Sequence, residues 1–162
     1  MALPTETTGY VYGWSPNDFI QNFIAEGSDN RGSSKKGAME SKLSVLEGDM
    51  VQLGTSFRQI KAYDHTVRTS PVIGVALSDA KNGEMVPIAC GPVVKCECAE
   101  AVTRGDYVGA DDGEIGLIKP ITPNGGATLM GFLGIALNVG DDGDIIPVLM
   151  KGSGIAYTTY TT

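Results

Sequence analysis

Apolar and polar residues alternate in short runs along most of this chain. From residue 42 onward the runs are 42–46, where Leu43 and Val45 sit between polar neighbours, then 50–53, 57–62, 72–77, 85–90, 93–98, 107–108, 115–118, 128–137 and 145–150. Period-two alternation predicts half-buried strands. The pairs Asn82-Gly83, Asp112-Gly113 and Asp142-Gly143 fall between runs, and these residue types accept the positive φ of tight hairpin turns. Short strands at this spacing predict an all-β fold, a small barrel or sandwich.

One segment has helical spacing instead. Ser15 is a helix cap, Pro16 suits the first helical position, and Asp18 lies in the first turn, where a carboxylate favours the dipole. Phe19, Ile20, Phe23 and Ile24 recur at i, i+1, i+4 and i+5, and Gly27 ends the run. The spacing predicts a helix over 15–26. A helix of about three turns is marginal alone, so its stripe must dock, either on its own domain or on a neighbouring subunit. Residues 27–41 are rich in glycine, serine and charge and read as a flexible linker. The expected organisation is an N-terminal arm over 1–41, a β-barrel domain over 42–151, and a tail or edge strand over 152–162.

The same hairpin is written twice. With a shift of 60 positions and no gap, Gly74 meets Gly134, Ala76 meets Ala136, Leu77 meets Leu137, Gly83 meets Gly143 and Pro87 meets Pro147. Upstream of each copy, Glu47-Gly48-Asp49-Met50-Val51 echoes Arg104-Gly105-Asp106-Tyr107-Val108 with a shift of 57, which puts three extra residues in the second unit, in the 122–127 loop. A hairpin alone cannot bury its face, so the two units are expected to pack by a pseudo-twofold and close one small barrel. Glycine within a strand, at 74 and 134, signals a bend or a close backbone approach. Pro87 and Pro147 cannot donate to a ladder and are expected at an edge or a bulge. What recurs is glycine, proline and aliphatic side chains, which serve shape; no catalytic group recurs with them.

At 162 residues the chain fits one domain with an arm, and 22 glycines agree with many turns. No run approaches the ~18–20 apolar residues of a membrane span, and the first ten residues lack the basic start and apolar stretch of a secretion signal. The net charge of −7 is concentrated: residues 79–144 hold eleven acids against four bases, whereas 31–68 hold seven bases against four acids. An acidic body repels phosphate, which argues against nucleic acid as a partner.

Candidate chemistry is sparse. Cys90, Cys96 and Cys98 are odd in number, and Cys96 and Cys98 share one face of a strand, a poor geometry for a bridge. Reduced thiols are the simplest account, and the spacing does not match a zinc site. His65 is the only histidine, with no nucleophile in a recognisable elbow. The acid-rich turns 110–114 and 140–144 do not match a calcium loop. Arg104-Gly105-Asp106 spells an adhesion tripeptide, but its Gly-Asp pair already has a turn role. No catalytic residue, metal site or cofactor site is assigned.

Two resemblances bear on function. "VLEGDMVQLG" resembles the turn of lipoyl and biotinyl carrier domains, in which a lysine at a hairpin tip carries the cofactor; Lys81 sits at such a tip, but Ala80 and Asn82 lack that family's flanking residues. Over roughly residues 43–151, the hairpin-and-turn pattern carried by Gly74, Ala76, Leu77, Gly83, Val86, Val94, Ala101, Gly105, Asp106, Val108, Gly134, Ala136 and Leu137 resembles the capsid decoration (cement) proteins of tailed bacteriophages. That resemblance implies a small β-barrel or β-tulip-like fold and no enzymatic activity. It also implies a homotrimer seated on a capsid lattice, with the major capsid protein as partner and the virion as location. Within the arm, Trp14, Phe19, Ile20, Phe23, Ile24, Arg31, Lys35 and Lys36 supply aromatic anchors and basic charge and are the expected capsid-binding residues.

Overall fold

In a computed structural model of the chain, the described residues are 20–27, 43–64, 70–111, 113–121 and 128–158. They contain ten strands and no helix. The strands are β1 (Ile20–Ala25), β2 (Met50–Leu53), β3 (Gln59–Ala62), β4 (Gly74–Ala76), β5 (Met85–Ala89), β6 (Val93–Glu97), β7 (Tyr107–Ala110), β8 (Ile118–Pro120), β9 (Thr128–Ala136) and β10 (Ile145–Thr158). They divide into two five-stranded units. The first is a closed barrel in the order β1-β3-β2-β4-β5, and the second is a sheet in the order β6-β10-β9-β7-β8.

The units have one topology. In the first, Ala76 pairs with Ile88 and Val51 with Gly74; in the second, Ala136 pairs with Val148 and Val108 with Gly134. The isolated bridge Val45–Ala80 has its counterpart in Val102–Gly140. Side-chain caps repeat as well: Leu46 N–H donates to the Asp49 carboxylate at 2.8 Å, and Thr103 N–H to the Asp106 carboxylate at 2.8 Å. The duplicated hairpins therefore occupy matching places. The unit is larger than the hairpin, however, and the two copies do not share one barrel. The first closes a barrel of its own, and the second forms its own five-stranded sheet.

The strand that completes the first barrel is β1, and here the expected helix over 15–26 is corrected. Its positions 15–19 lie outside the described residues; its positions 20–25 are a strand. β1 runs antiparallel to β5, with Phe23 opposite Val86, and parallel to β3, with Ala25 opposite Ile60. The physical reason is competition. A short isolated helix must find a surface for its stripe, whereas β3 and β5 offer this segment a backbone ladder on both sides. Two-residue alternation then turns Phe23 and Ala25 toward the barrel core and leaves Ile20 and Ile24 facing out. The counterpart of β1 is β6, where Cys96 takes the place of Phe23 opposite Ile146. The boundary expected near residue 42 thus falls inside the first barrel.

Gly74 and Gly134 behave as expected for close approach. A Cβ at Gly74 would collide with the carbonyl of Ala89, and one at Gly134 with that of Leu149. Pro87 and Pro147 are at neither an edge nor a bulge, since β5 and β10 each have neighbours on both sides. Their carbonyls accept from Leu77 N–H at 3.0 Å and Leu137 N–H at 2.9 Å. Each proline nitrogen therefore faces the neighbouring strand one residue beyond its last position, where no ladder donor is required. Residues 152–158 continue β10 along β9, after an irregularity between Met150 and Gly154.

Two apolar clusters form the core. One holds Ala25, Val45, Val51, Ile60, Ala76, Val86 and Ile88, all from the first unit, and is that barrel's interior. The other joins the interior of the second unit, including Val108, Leu133, Ile146 and Val148, to Met50, Tyr63, Val72, Val75 and Ala89 of the first. Those five come from the outward side of the first barrel, which is therefore buried against the second unit.

Candidate docking surface

The contact between the units is made by backbone as well as by side chains. In the first barrel the seam between β1 and β3 is shut by Ile24 N–H donating to Arg58 O at 2.8 Å. The matching seam in the second unit, between β6 and the turn before β8, is held apart by the first unit. Met50 N–H donates to Gly116 O at 2.8 Å, Gly116 N–H donates to Tyr63 O at 3.0 Å, and Glu97 N–H reaches Gly48 O at 3.4 Å. Beyond the wedge the second unit closes again through the parallel bridge Cys98–Ile118. The tip Ile115–Gly116 of the second unit is thus seated on the β2–β3 face of the first. Gly116 fits because its φ is +80° and because a Cβ there would come within 2.5 Å of Asp49 Oδ1.

The buried Asp49 carboxylate at this junction is satisfied. Asp49 is 1% exposed and accepts from Leu46 N–H, as a buried carboxylate requires. Burial pushes the Cys96 thiol well up, with Cys98 and then Asp49 adding to the shift. The Cys98 thiol is raised to about 11 by burial and by the acids around the second hairpin tip, Asp144 first. Burial also raises Cys90. All three cysteines are free thiols, and the shifts keep them protonated, which makes them poor nucleophiles and poor metal ligands. Among the described residues no three His, Cys, Asp or Glu side chains gather as metal ligands would. His65 lies outside the described residues.

The expected capsid-binding residues are only partly within view. Trp14, Phe19, Arg31, Lys35 and Lys36 lie outside the described residues. Ile20 and Ile24 share the exposed face of β1, and Met85, opposite Ile24, extends that apolar strip. Phe23 is separated from them and packs inward. Lys81 is exposed at its hairpin tip, its N–H bonded to the Glu84 carboxylate at 2.8 Å, but the same position in the second hairpin is Asp141, whose N–H bonds Asp144 at 3.0 Å. The tip repeats a turn geometry and not a lysine.

Two exposed aromatic sites are absent from that expectation. Phe57 stands at the tip of the β2–β3 turn, and Tyr107 lies on the outward face of β7, its ring 6.2 Å from that of Phe132. The Phe57 turn is held by Glu26, whose carboxylate accepts from Thr55 N–H and the Thr55 hydroxyl; those two bonds keep the Glu26 carboxyl below the ordinary carboxylate range. The strand registers, and not the sequence alone, mark these sites: aligned through them, Tyr107 takes the place of Met50 and Phe57 that of Ile115.

Comparison with known proteins places this geometry. The phage cement protein family matches residues 37–151, well over half of the chain. No curated protein matches the sequence. Among solved structures, the N base of the head fiber gp8.5 of bacteriophage phi29 is similar in fold, with a TM-score of 0.53 at 14% sequence identity, covering 83% of this chain and 94% of that one.

Proposed function

The chain belongs to the phage cement proteins, a structural, capsid-associated family, and on that premise we propose that it binds the exterior of a phage capsid and bridges neighbouring capsomers. The major capsid protein is the partner, the chain acts as a homotrimer, and it is made in the host cytoplasm before joining the virion. The family match over residues 37–151, which takes in strands of both units, carries this reading. The surface supports it: a duplicated scaffold with exposed apolar strips is suited to fit against another surface. A ligand that binds only the assembled shell stabilises it by its binding free energy, about 3 kcal/mol at a hundredfold excess over Kd.

The capsid-binding residues of this reading lie on and around β1: Trp14 and Phe19 before it, Ile20 and Ile24 on its outer face, and Arg31, Lys35 and Lys36 after it. Deleting residues 1–30 would remove β1 along with them, so substitution is the cleaner test. Shells lacking the protein are incubated with the full chain, with and without Trp14→Ser and Phe19→Ser. The wild type binds saturably and raises the temperature at which shells break, and the variant binds at least tenfold more weakly. A wild type that does not bind, or a variant that binds equally, contradicts the proposal.

A further inference from the structure

The two units make one contact twice over in sequence but only once within the chain. Inside the chain, the second unit's tip, Ile115–Gly116, sits on the first unit's face, formed by Met50 and Tyr63. The repeat supplies a second tip and a second face. The counterpart of Gly116 is Arg58, the only described non-glycine residue with positive φ, at +63°, so the two tips share a backbone shape. The counterparts of Met50 and Tyr63 are Tyr107 and Ile121, and the ladder bond Tyr63 N–H to Met50 O, at 2.8 Å, recurs as Ile121 N–H to Tyr107 O, at 2.7 Å.

Burial separates the occupied pair from the unoccupied one. On the faces, Met50 is 0% exposed and Tyr107 is 58% exposed; on the tips, Ile115 is 38% exposed and Phe57 is 91% exposed. The surroundings follow suit. Gly131, whose missing side chain makes room for Tyr63, has its counterpart in exposed Pro71, and buried Glu97 has its counterpart in exposed Ile24. A large exposed aromatic at each half of a repeated contact marks an interface rather than an incidental surface residue.

We propose that the Phe57–Arg58 tip of one copy seats on the Tyr107–Ile121 face of a second copy of this chain, repeating between chains the contact the two units make within one. The tip and the face lie on different units, so the contact is head-to-tail and propagates until it closes as a ring. The Arg58 carbonyl already accepts from Ile24 N–H, so the seam of the first barrel stays shut and aromatic side chains carry more of the contact than they do inside the chain. The pairing rests on the internal repeat alone; only the ring size, three copies, comes from the capsid reading above.

Native mass spectrometry and sedimentation of the full chain, without capsid, test the pairing. Wild type assembles to three copies. Phe57→Asp and Tyr107→Asp each sediment as monomers, a threefold loss of mass, with unfolding temperatures checked against wild type; Phe57→Ser replaces the aspartate variant should that one unfold. Mixed in equal amounts, at a concentration that assembles the wild type, the two variants form a one-to-one pair, because each retains the half the other lacks. A monomeric wild type, an assembled single variant, or a mixture that stays monomeric overturns the pairing. Capsid binding is not part of the readout, so failure of that proposal leaves this result interpretable.

Discussion

The two units differ most on one outward strip. In the first unit Met50, Tyr63, Val72, Val75 and Ala89 are buried against the second unit. In the second unit the corresponding positions, Tyr107, Ile121, Phe132, Ile135 and Leu149, are exposed or half-buried. The interiors, by contrast, match almost residue for residue, with Val51 against Val108, Ala76 against Ala136 and Val86 against Ile146. A duplicated fold keeps the packing that each copy needs to close and lets the outside diverge. The outside then records which partner each copy meets.

The comparison breaks most sharply at the close-approach glycines. Both sites have a strand carbonyl where a Cβ would go, and the gap at Gly134 is the smaller. Gly134→Ala is expected to lower unfolding free energy by about 3 kcal/mol, and Gly74→Ala by somewhat less, as read by denaturant titration. Equal, near-zero costs would mean that the two hairpins are not held as described.

The repeated aspartate cap sharpens the contrast between a buried and a solvated copy. Asp49 lies under the second unit, whereas Asp106, making the same 2.8 Å bond to the amide three residues before it, is only partly covered. Removing an acceptor leaves a buried amide unpaired in one case and a hydrated one in the other. Asp49→Ala should cost about 2 kcal/mol and Asp106→Ala about 1 kcal/mol; the reverse order would place the junction elsewhere.

The smallest effect concerns Cys98, whose counterpart in the first unit is Ala25. The Cys98 thiol is raised to about 11 in the fold, above the ordinary thiol value of about 8.5. A raised folded value means stability that is complete below the ordinary value and is lost as pH rises through 9 toward 11. Cys98→Ala copies the first unit at this position and should flatten part of that alkaline decline in melting temperature. An unchanged pH profile would contradict the shift.

Much of this fold is legible in the sequence, for local reasons. Strand alternation and the Asn-Gly and Asp-Gly turns are short-range signals, and the described strands from residue 50 onward fall on or beside the apolar runs that predict them. The hairpin repeat is visible because both copies spend glycine and proline at the same geometric constraints. The misreading of 20–25 has a long-range cause. IQNFIA fits an apolar stripe at either period, and only β3 and β5, 35 and 65 residues away at the pairs Ala25–Ile60 and Asn22–Pro87, decide between them. β6 shares that place with little sequence identity, so the repeat does not expose it. Phe57 and Tyr107 are invisible for a related reason. An exposed aromatic looks like a core aromatic until its counterpart in the other barrel shows which face it is on.

The equivalence of β1 and β6 is what makes the two units copies of one fold, and hydrogen exchange of the full chain, resolved by residue, tests it most directly. Ala25 N–H is bonded to Glu84 O and Glu26 N–H to Ile60 O, as Cys98 N–H is to Asp144 O and Ala99 N–H to Ile118 O, all at 2.8 Å. The account predicts that the amides of Ala25 and Glu26 are protected to the same order as those of Cys98 and Ala99. Exchange at 25 and 26 as fast as in an open chain, beside slow exchange at 98 and 99, would contradict it.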